Sequence, residues 1–541
     1  MIASVYRWVD DNILELGREM RLSYLPPLMV YMAAGISGLT AIVGTFFVKD
    51  YLDLSAQFLA ALGFWANIPW SLKMPFGHLV DLIWRWKSWL VFLGAGLIAV
   101  SLLIMAGLLT DREAMIAIMP AGAWFVLSTL LAPVGYMMQD SVADAMTVEA
   151  VPHVDERGAP HDPATLKLMH TTMQTLGRVA IIGGTVLVAL INLYVFSRAD
   201  LSAEAEMAAV YRDIYLMALT IPLISVAGIL VAVYVKRRQK QQLLAAGKTL
   251  EDIRKIQRQL VEKTLPNWWI LGGSLAFVVF TLVMGFSDYA FNQEIILAGS
   301  LGIVIFLIAR LTRELSPEAR NTLIGTAVII FVFRAVPATG SGVTWWMIDE
   351  LGFDEKFFSW LSVIANILTL FGMFIFRRFM AERSIAFVVG ALTIAGTVLA
   401  LPTLGMYYGL HEWTMAHTGG LVDARFIMVV NTALESPLGQ IAMIPMLAWI
   451  ANSAPANLKA TYFAVMASFT NLALSLAQLV TKYLNQVFIV TREVRDVATQ
   501  AVHVPADYTQ LGGIIIAAIL IGLIAPFAAI LIMRMRHLKW A

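Results

Sequence analysis

Residues 45–68 read TFFVKDYLDLSAQFLAALGFWANI, and residues 344–367 read TWWMIDELGFDEKFFSWLSVIANI. Thr, Asp, Leu, Phe, Leu and a closing Ala-Asn-Ile recur in register, eight identities in 24 positions at an offset of 299. Around both copies the chain is apolar in runs of about 20 residues or more, the length that crosses a bilayer as a helix. Each copy covers the end of one such run, a loop and the first half of the next. Both therefore travel through the membrane in the same direction. The duplication predicts two homologous halves related by an axis along the membrane normal. A weaker echo, APVGYM at 132 and SPLGQI at 436, falls in the fourth span of each half.

Composition supports the membrane reading. Of 541 residues 59% are hydrophobic and 14% charged, with a mean hydropathy of +0.75, whereas a soluble chain carries roughly a quarter charged residues. A net charge of +1 gives no footprint for nucleic acid. Zero cysteines exclude disulfides and thiolate metal centres, and the eight histidines show no ligand spacing, so neither a metal nor another cofactor is expected. There is no phosphate-binding loop for ATP and no readable nucleophile–base arrangement, so an enzyme is not expected. Asp10, Asp11, Glu15, Arg18 and Glu19 rule out a cleavable leader in residues 1–20. Val5, Trp8, Ile13, Leu16 and Met20 instead fit a helix lying on the membrane surface over 1–22.

Spans are expected near 26–49, 56–80, 88–110, 114–147, 166–197 and 211–235, then 267–287 and 293–312, then 320–348, 356–378, 384–408, 423–451, 457–489 and 511–534. That gives an all-α polytopic protein of about fourteen helices. It divides into an N-terminal six-helix repeat (23–236), a cytoplasmic linker (237–266), an extra helix pair (267–313) and a C-terminal six-helix repeat (319–537). Two parallel six-helix repeats are the plan of the major facilitator fold, with the substrate between the halves. Placing the N-terminus inside puts about 26 of the 38 basic residues on the cytoplasmic side. Both termini are then cytoplasmic, and the inner (plasma) membrane is the expected location.

A charge at the bilayer centre costs about 2.5–3.5 kcal/mol on insertion scales, so each one needs a reason. Lys73, Asp140, Asp144, Arg178, Arg334 and Glu435 lie within spans. Thr171, Gln174 and Arg178 form one polar stripe, and Ser468, Asn471, Ser475, Gln478 and Lys482 another. Arg334 precedes AVPATGSG, where Pro337, Gly340 and Gly342 weaken the helix. Irregular backbone at this depth is tolerated only against protein or a water-filled cavity. Arg334, Arg178, Glu435, Asn67, Asn366 and Gln174 are therefore the candidate substrate-binding residues. Glu435, Asp140 and Asp144 are candidates for proton coupling, and Lys73, Asp81, Arg85, Asp140 and Asp144 for gating. The structural alternatives are concrete. Asp140 and Asp144 would bond the loop cations Arg85 and Lys87, Lys73 would snorkel to the headgroups, Arg334 and Glu435 would form an ion pair, and the asparagines would tie helices together.

Six stretches carry a resemblance: GLTAIVGTFFVKDYLDLSA, IPWSLKMPFGHLVD, QDSVADAMTVE, FVFRAVPATGSGVTWWMIDELGF, GQIAMIPMLAWIANSAP and ATYFAVMASFTNLA. On these the sequence resembles the folate–biopterin transporter family of the major facilitator superfamily. The resemblance implies secondary transport of pteridine-type compounds by alternating access, without ATP. Two departures stand out: the loop LIWRWKSW has only Arg85 and Lys87 where the family has a run of arginines, and the pair 267–313 is outside a twelve-helix plan. An arginine fork suits the carboxylates of a folate tail and of many other organic anions. A buried carboxylate suits a co-transported proton. The competing reading is a non-transport membrane factor on the same fold, such as a pigment-assembly or sensor protein.

Overall fold

Long runs of Leu, Ile, Val and Ala in a medium without water must close their backbone hydrogen bonds locally, and the chain is helical almost throughout. The computed structural model describes residues 15–52, 54–71, 73–83, 86–152, 161–198, 204–245, 247–251, 267–285, 287, 289–314, 316–376, 383–439, 441, 459–495 and 502–536. The first half comprises α1 (Leu25–Ile36) continuing into α2 (Ala41–Tyr51), α3 (Ala56–Ser71) into α4 (Lys73–Leu82), α5 (Ser88–Thr110), α6 (Ala121–Ala150), α7 (Pro163–Arg198), and α8 (Glu204–Ala218) into α9 (Thr220–Ala245). The extra pair is α10 (Trp268–Gly285) and α11 (Asn292–Leu311). The second half comprises α12 (Pro317–Arg334) and α13 (Ser341–Asp349), α14 (Glu355–Ile375), α15 (Ile385–Tyr407), α16 (Ala424–Glu435), α17 (Lys459–Val487) and α18 (Leu511–Met535). A small antiparallel hairpin, Val494–Arg495 with Val502–Val504, lies between α17 and α18. The face where α9 ends is called the linker face, and the opposite one the far face.

Ten helices among the described residues are long and apolar enough to cross a membrane. The other four expected spans are α3–α4, α12–α13, α16 and α17, which carry Lys73, Arg334, Glu435 and Asn471. The two halves meet along a seam. The seam is built from α3 and α4 against α17 and from α7 against α14.

Both leading helices are interrupted at matching points. In the first half a tight 3-10 turn, Ser37–Thr40, separates α1 from α2; in the second, non-helical backbone follows Arg334 as far as Gly340, whose φ of 77° suits glycine. Shifting 37–40 by the repeat offset lands on 336–339. The carbonyls freed there need donors. Asn192 of α7 donates to Leu39 O at 3.3 Å, and Asn485 of α17 donates to Thr339 O at 3.5 Å. Thr481 Oγ1 also accepts from Ala338 N at 3.0 Å. Each half thus uses an asparagine of its fifth helix to hold the break in its first.

The extra pair lies on the seam itself. Gln293 of α11 donates to Ala61 O of α3 at 3.2 Å and accepts from Lys482 of α17 at 3.1 Å, so one side chain touches both halves. Glu294 bonds Lys482 and Tyr483. At the linker end the Asn267 backbone N–H donates to His78 Nε2 of α4 at 3.1 Å. Ile270, Ile296, Val304 and Leu307 of the pair join Phe64, Ile68, Val465 and Leu472 in one apolar core.

Candidate functional site

The site begins on the second span, where the backbone of α3 and α4 meets α17. Trp70 O and Met74 N stand in the i, i+4 relation of a helical hydrogen bond, and side chains of the other half engage both. Asn471 Nδ2 donates to Trp70 O at 2.9 Å, and Met74 N donates to Ser468 Oγ at 3.0 Å. Lys73 sits within this stretch and reaches α6 instead of the headgroups. Its Nζ is 2.6 Å from Asp140 Oδ2 and 2.7 Å from Asp144 Oδ2, two carboxylates one turn apart. Tyr31 OH of α1 donates to Asp144 Oδ1 at 2.6 Å. Arg178 of α7 lies close enough to act electrostatically on Asp140 and Tyr31.

Four spans of the first half therefore deliver two cations, two carboxylates and a phenol to one place, with formal charges that cancel. Burial makes the balance matter: removing one member of a buried ion pair typically costs about 3–5 kcal/mol, because the other charge stays behind. The carboxylates are not equivalent. The Asp140 side chain is 16% exposed and that of Asp144 42%, so Asp144 is the more accessible of the two.

The remaining candidates lie elsewhere. Gln174 donates to Thr147 Oγ1 at 3.2 Å. Asn67 is half-buried on α3, while Asn366 on α14 donates to Ser362 O of its own helix at 2.8 Å. Arg334 is half-buried at the break after α12, and Glu435 is exposed at the end of α16, where a 3-10 turn begins. Neither enters the Lys73 cluster among the described contacts. Arg85, Arg377, Arg378, the side chains of Asp81 and Thr171, and most of GQIAMIPMLAWIANSAP lie outside the described residues. The second polar stripe serves the seam more than a cavity: Ser468 and Asn471 hold α3–α4, Gln478 presses on Gly63, and Lys482 holds α11.

Sequence reasoning passed over a set of contacts on the far face. Lys49 Nζ is 2.6 Å from Asp349 Oδ1, Tyr508 OH donates to Asp349 Oδ2 at 2.5 Å, and Tyr211 OH donates to Glu355 Oε1 at 2.5 Å. Phe46 meets Phe358 edge-on, with ring centroids 6.0 Å apart. Lys49 and Phe46 belong to the first copy of the opening repeat; Asp349, Glu355 and Phe358 belong to the second. The duplicated hairpins close the far face against each other. Burial first, then the Asp349 carboxylate, holds the Tyr508 phenol protonated well above its ordinary range. The signal was available as Lys49 in one copy and Asp349 in the other, but a charge near a helix end ordinarily reads as solvated.

On the linker face Glu149, the last residue of QDSVADAMTVE, binds Lys87 at 2.6 Å and Lys236 at 3.0 Å. Lys87 is thus occupied by Glu149, and the pair Asp140 and Asp144 has Lys73. Burial alone would raise the Glu149 carboxyl; the ammonium groups of Lys87 and Lys236 outweigh it and hold it below its ordinary range.

Buried charge at the core of a bundle, broken leading helices and a seam between two halves are transporter features. The BT1 family model matches residues 278–539. A curated relative, the folate-biopterin transporter of Synechocystis sp., is 23% identical over 471 residues, covering 86% of this chain and 75% of the relative. Both matches bear out the likeness to the BT1, folate–biopterin transporter family. The family resemblance drawn from the six stretches holds, and with it an integral multi-pass membrane transporter. Similar solved structures share the fold at low identity. A POT family transporter in complex with 5-aminolevulinic acid is 11% identical with a TM-score of 0.58, covering 95% of this chain and 96% of the other. A peptide transporter POT in complex with sulfate is 17% identical at 0.56, covering 95% of each chain. The nucleoside transporter NupG is 13% identical at 0.53, covering 95% of this chain and all of the other. The major facilitator architecture expected from the sequence is therefore the one observed.

Proposed function

We propose that this protein is a secondary active transporter for a small organic anion of the pteridine or folate type, coupled to protons and working by alternating access. The observation that carries the proposal is the Lys73–Asp140–Asp144 cluster, with Tyr31 and Arg178 beside it. A neutral set of charges with one exposed carboxylate can take up a proton at Asp144 and loosen its hold on Lys73. That ammonium, with Arg178, then becomes available to an anion's carboxylate. The curated relative's name points to the solute class. Arg334 and Glu435 are proposed as the second half's contribution to solute binding, with Gln174, Asn67 and Asn366 as accessory contacts. Asp81 and Arg85 are proposed for gating on the linker face. Both termini are proposed to be cytoplasmic.

The test is uptake of labelled folate, pterin and unrelated organic anions into proteoliposomes with and without an imposed pH gradient. Gradient-driven uptake of a pteridine, lost in Asp144→Asn, supports the reading. Pteridine uptake that ignores the gradient removes the proton. Uptake only of unrelated anions removes the pteridine.

A further inference from the structure

The extra pair carries a feature that the solute site does not use. α10 and α11 close on each other where Leu307 covers Gly273 and Phe280 covers Gly299, and they part on the neighbouring side. There a groove of about 580 Å³ opens between them, walled by Trp268, Trp269, Ile303 and Phe306. Its floor is glycine: a Cβ at Gly272 or at Gly302 would meet nothing within 4 Å. The groove runs from Trp268 at the start of α10 to Ala276, nine residues spanning about 12 Å of helix.

A cation stands at the mouth. Arg310, near the end of α11, stacks its guanidinium carbon 4.4 Å from the Trp269 ring centroid. It makes no ion pair with a described carboxylate, and Arg313 beyond it is exposed. Stacking uses the flat face of the guanidinium and leaves its N–H edge for an oxyanion. Tryptophans at a helix start and an arginine at the adjacent helix end mark the depth of the headgroups. Below that level the walls are apolar, which disfavours a water-soluble anion and suits an amphiphile with its charge at the rim.

We propose that this groove binds one anionic phospholipid, its phosphate on Arg310 and an acyl chain along the Gly272–Gly302 floor. Basic pockets between membrane helices are recognised sites for acidic lipid headgroups. The pair that straddles the seam would then carry a lipid as part of its outer wall.

Native mass spectrometry of the full chain in detergent, with phosphatidylglycerol and phosphatidylcholine supplied in equal amounts, tests this. The wild type is expected to retain one phosphatidylglycerol with a preference of about fivefold, the effect of one added charge near a lipid surface. Arg310→Gln is expected to bring the ratio to about one while lipid is still retained. Gly272→Leu with Gly302→Leu is expected to fill the groove and abolish retention of either lipid. The space is open and leucine is the better helix former, so folding should survive; circular dichroism and gel filtration confirm that. Equal retention of the two lipids by the wild type, or undiminished phosphatidylglycerol on the leucine variant, overturns the proposal and leaves only ordinary surrounding lipid. Retention is read without solute, so the result stands apart from the transport reading.

Discussion

At the residue scale, Lys73 decides how much charge the first half can hold. Lys73→Met would leave Asp140 and Asp144 buried together without their ammonium. The expected cost is about 3–5 kcal/mol, seen as a fall in melting temperature by intrinsic fluorescence in detergent. Lys73→Met combined with Asp140→Asn should recover part of that loss, since the second change removes the stranded charge. A double variant no more stable than Lys73→Met alone would show that the cluster is not coupled. Glu149 gives a pH signature. Its folded carboxyl is held below the ordinary value of 4.5, so its contribution is complete above that value and is lost as pH falls through and below it. Melting temperature should drop on acidification below about pH 4. Glu149→Gln should flatten that drop and cost about 1–3 kcal/mol at pH 7 through the stranded Lys87. An unchanged pH profile in the variant would remove Glu149 as the cause.

At the element scale, polar residues in these helices mostly repair backbone. Asn192 and Asn485 hold the breaks in the two leading helices, and Ser468 and Asn471 bond the backbone of α3 and α4. From sequence alone an asparagine in a span fits a solute site and a helix tie equally well, and the neighbours that choose between them are distant in the chain. The extra pair illustrates the same point. Gln293→Ala removes the side chain that touches α3 and α17 together, leaving Lys482 with Glu294. The expected loss is about 1–2 kcal/mol from two hydrogen bonds. It should appear as faster tryptic cleavage near α10, whereas an unchanged cleavage rate would mean the pair is held by apolar contact alone.

At the scale of the molecule, the far face is closed by the two copies of the repeat. If alternating access operates, these contacts must part, and weakening them should shift the population. Asp349→Asn loosens both Lys49 and Tyr508. The chain has no cysteine, so a single cysteine placed at Leu59, under the closed face, is a clean reporter. Its maleimide labelling rate from the far side should rise about 5- to 10-fold in Asp349→Asn, the factor that goes with roughly 1–1.4 kcal/mol of coupling. The exchanged pair Lys49→Asp with Asp349→Lys should bring it back toward the wild type. Labelling that is equal in all three would show that this contact does not hold the face shut.

The sequence by itself determined the membrane class and the all-helical fold, and it carried the doubled hairpin. Those follow from local quantities: run length, hydropathy and a repeat in register. It also marked Lys73, Asp140, Asp144 and Arg178 as costly charges, because cost depends only on depth. Which charge answers which was decided by the tertiary structure. Lys73 and Asp140 are 67 residues apart and Lys49 and Asp349 are 300, and no local pattern encodes a partner that far away. Only the packed bundle shows that the hairpin written twice, in register and half a chain apart, meets its own copy across the far face.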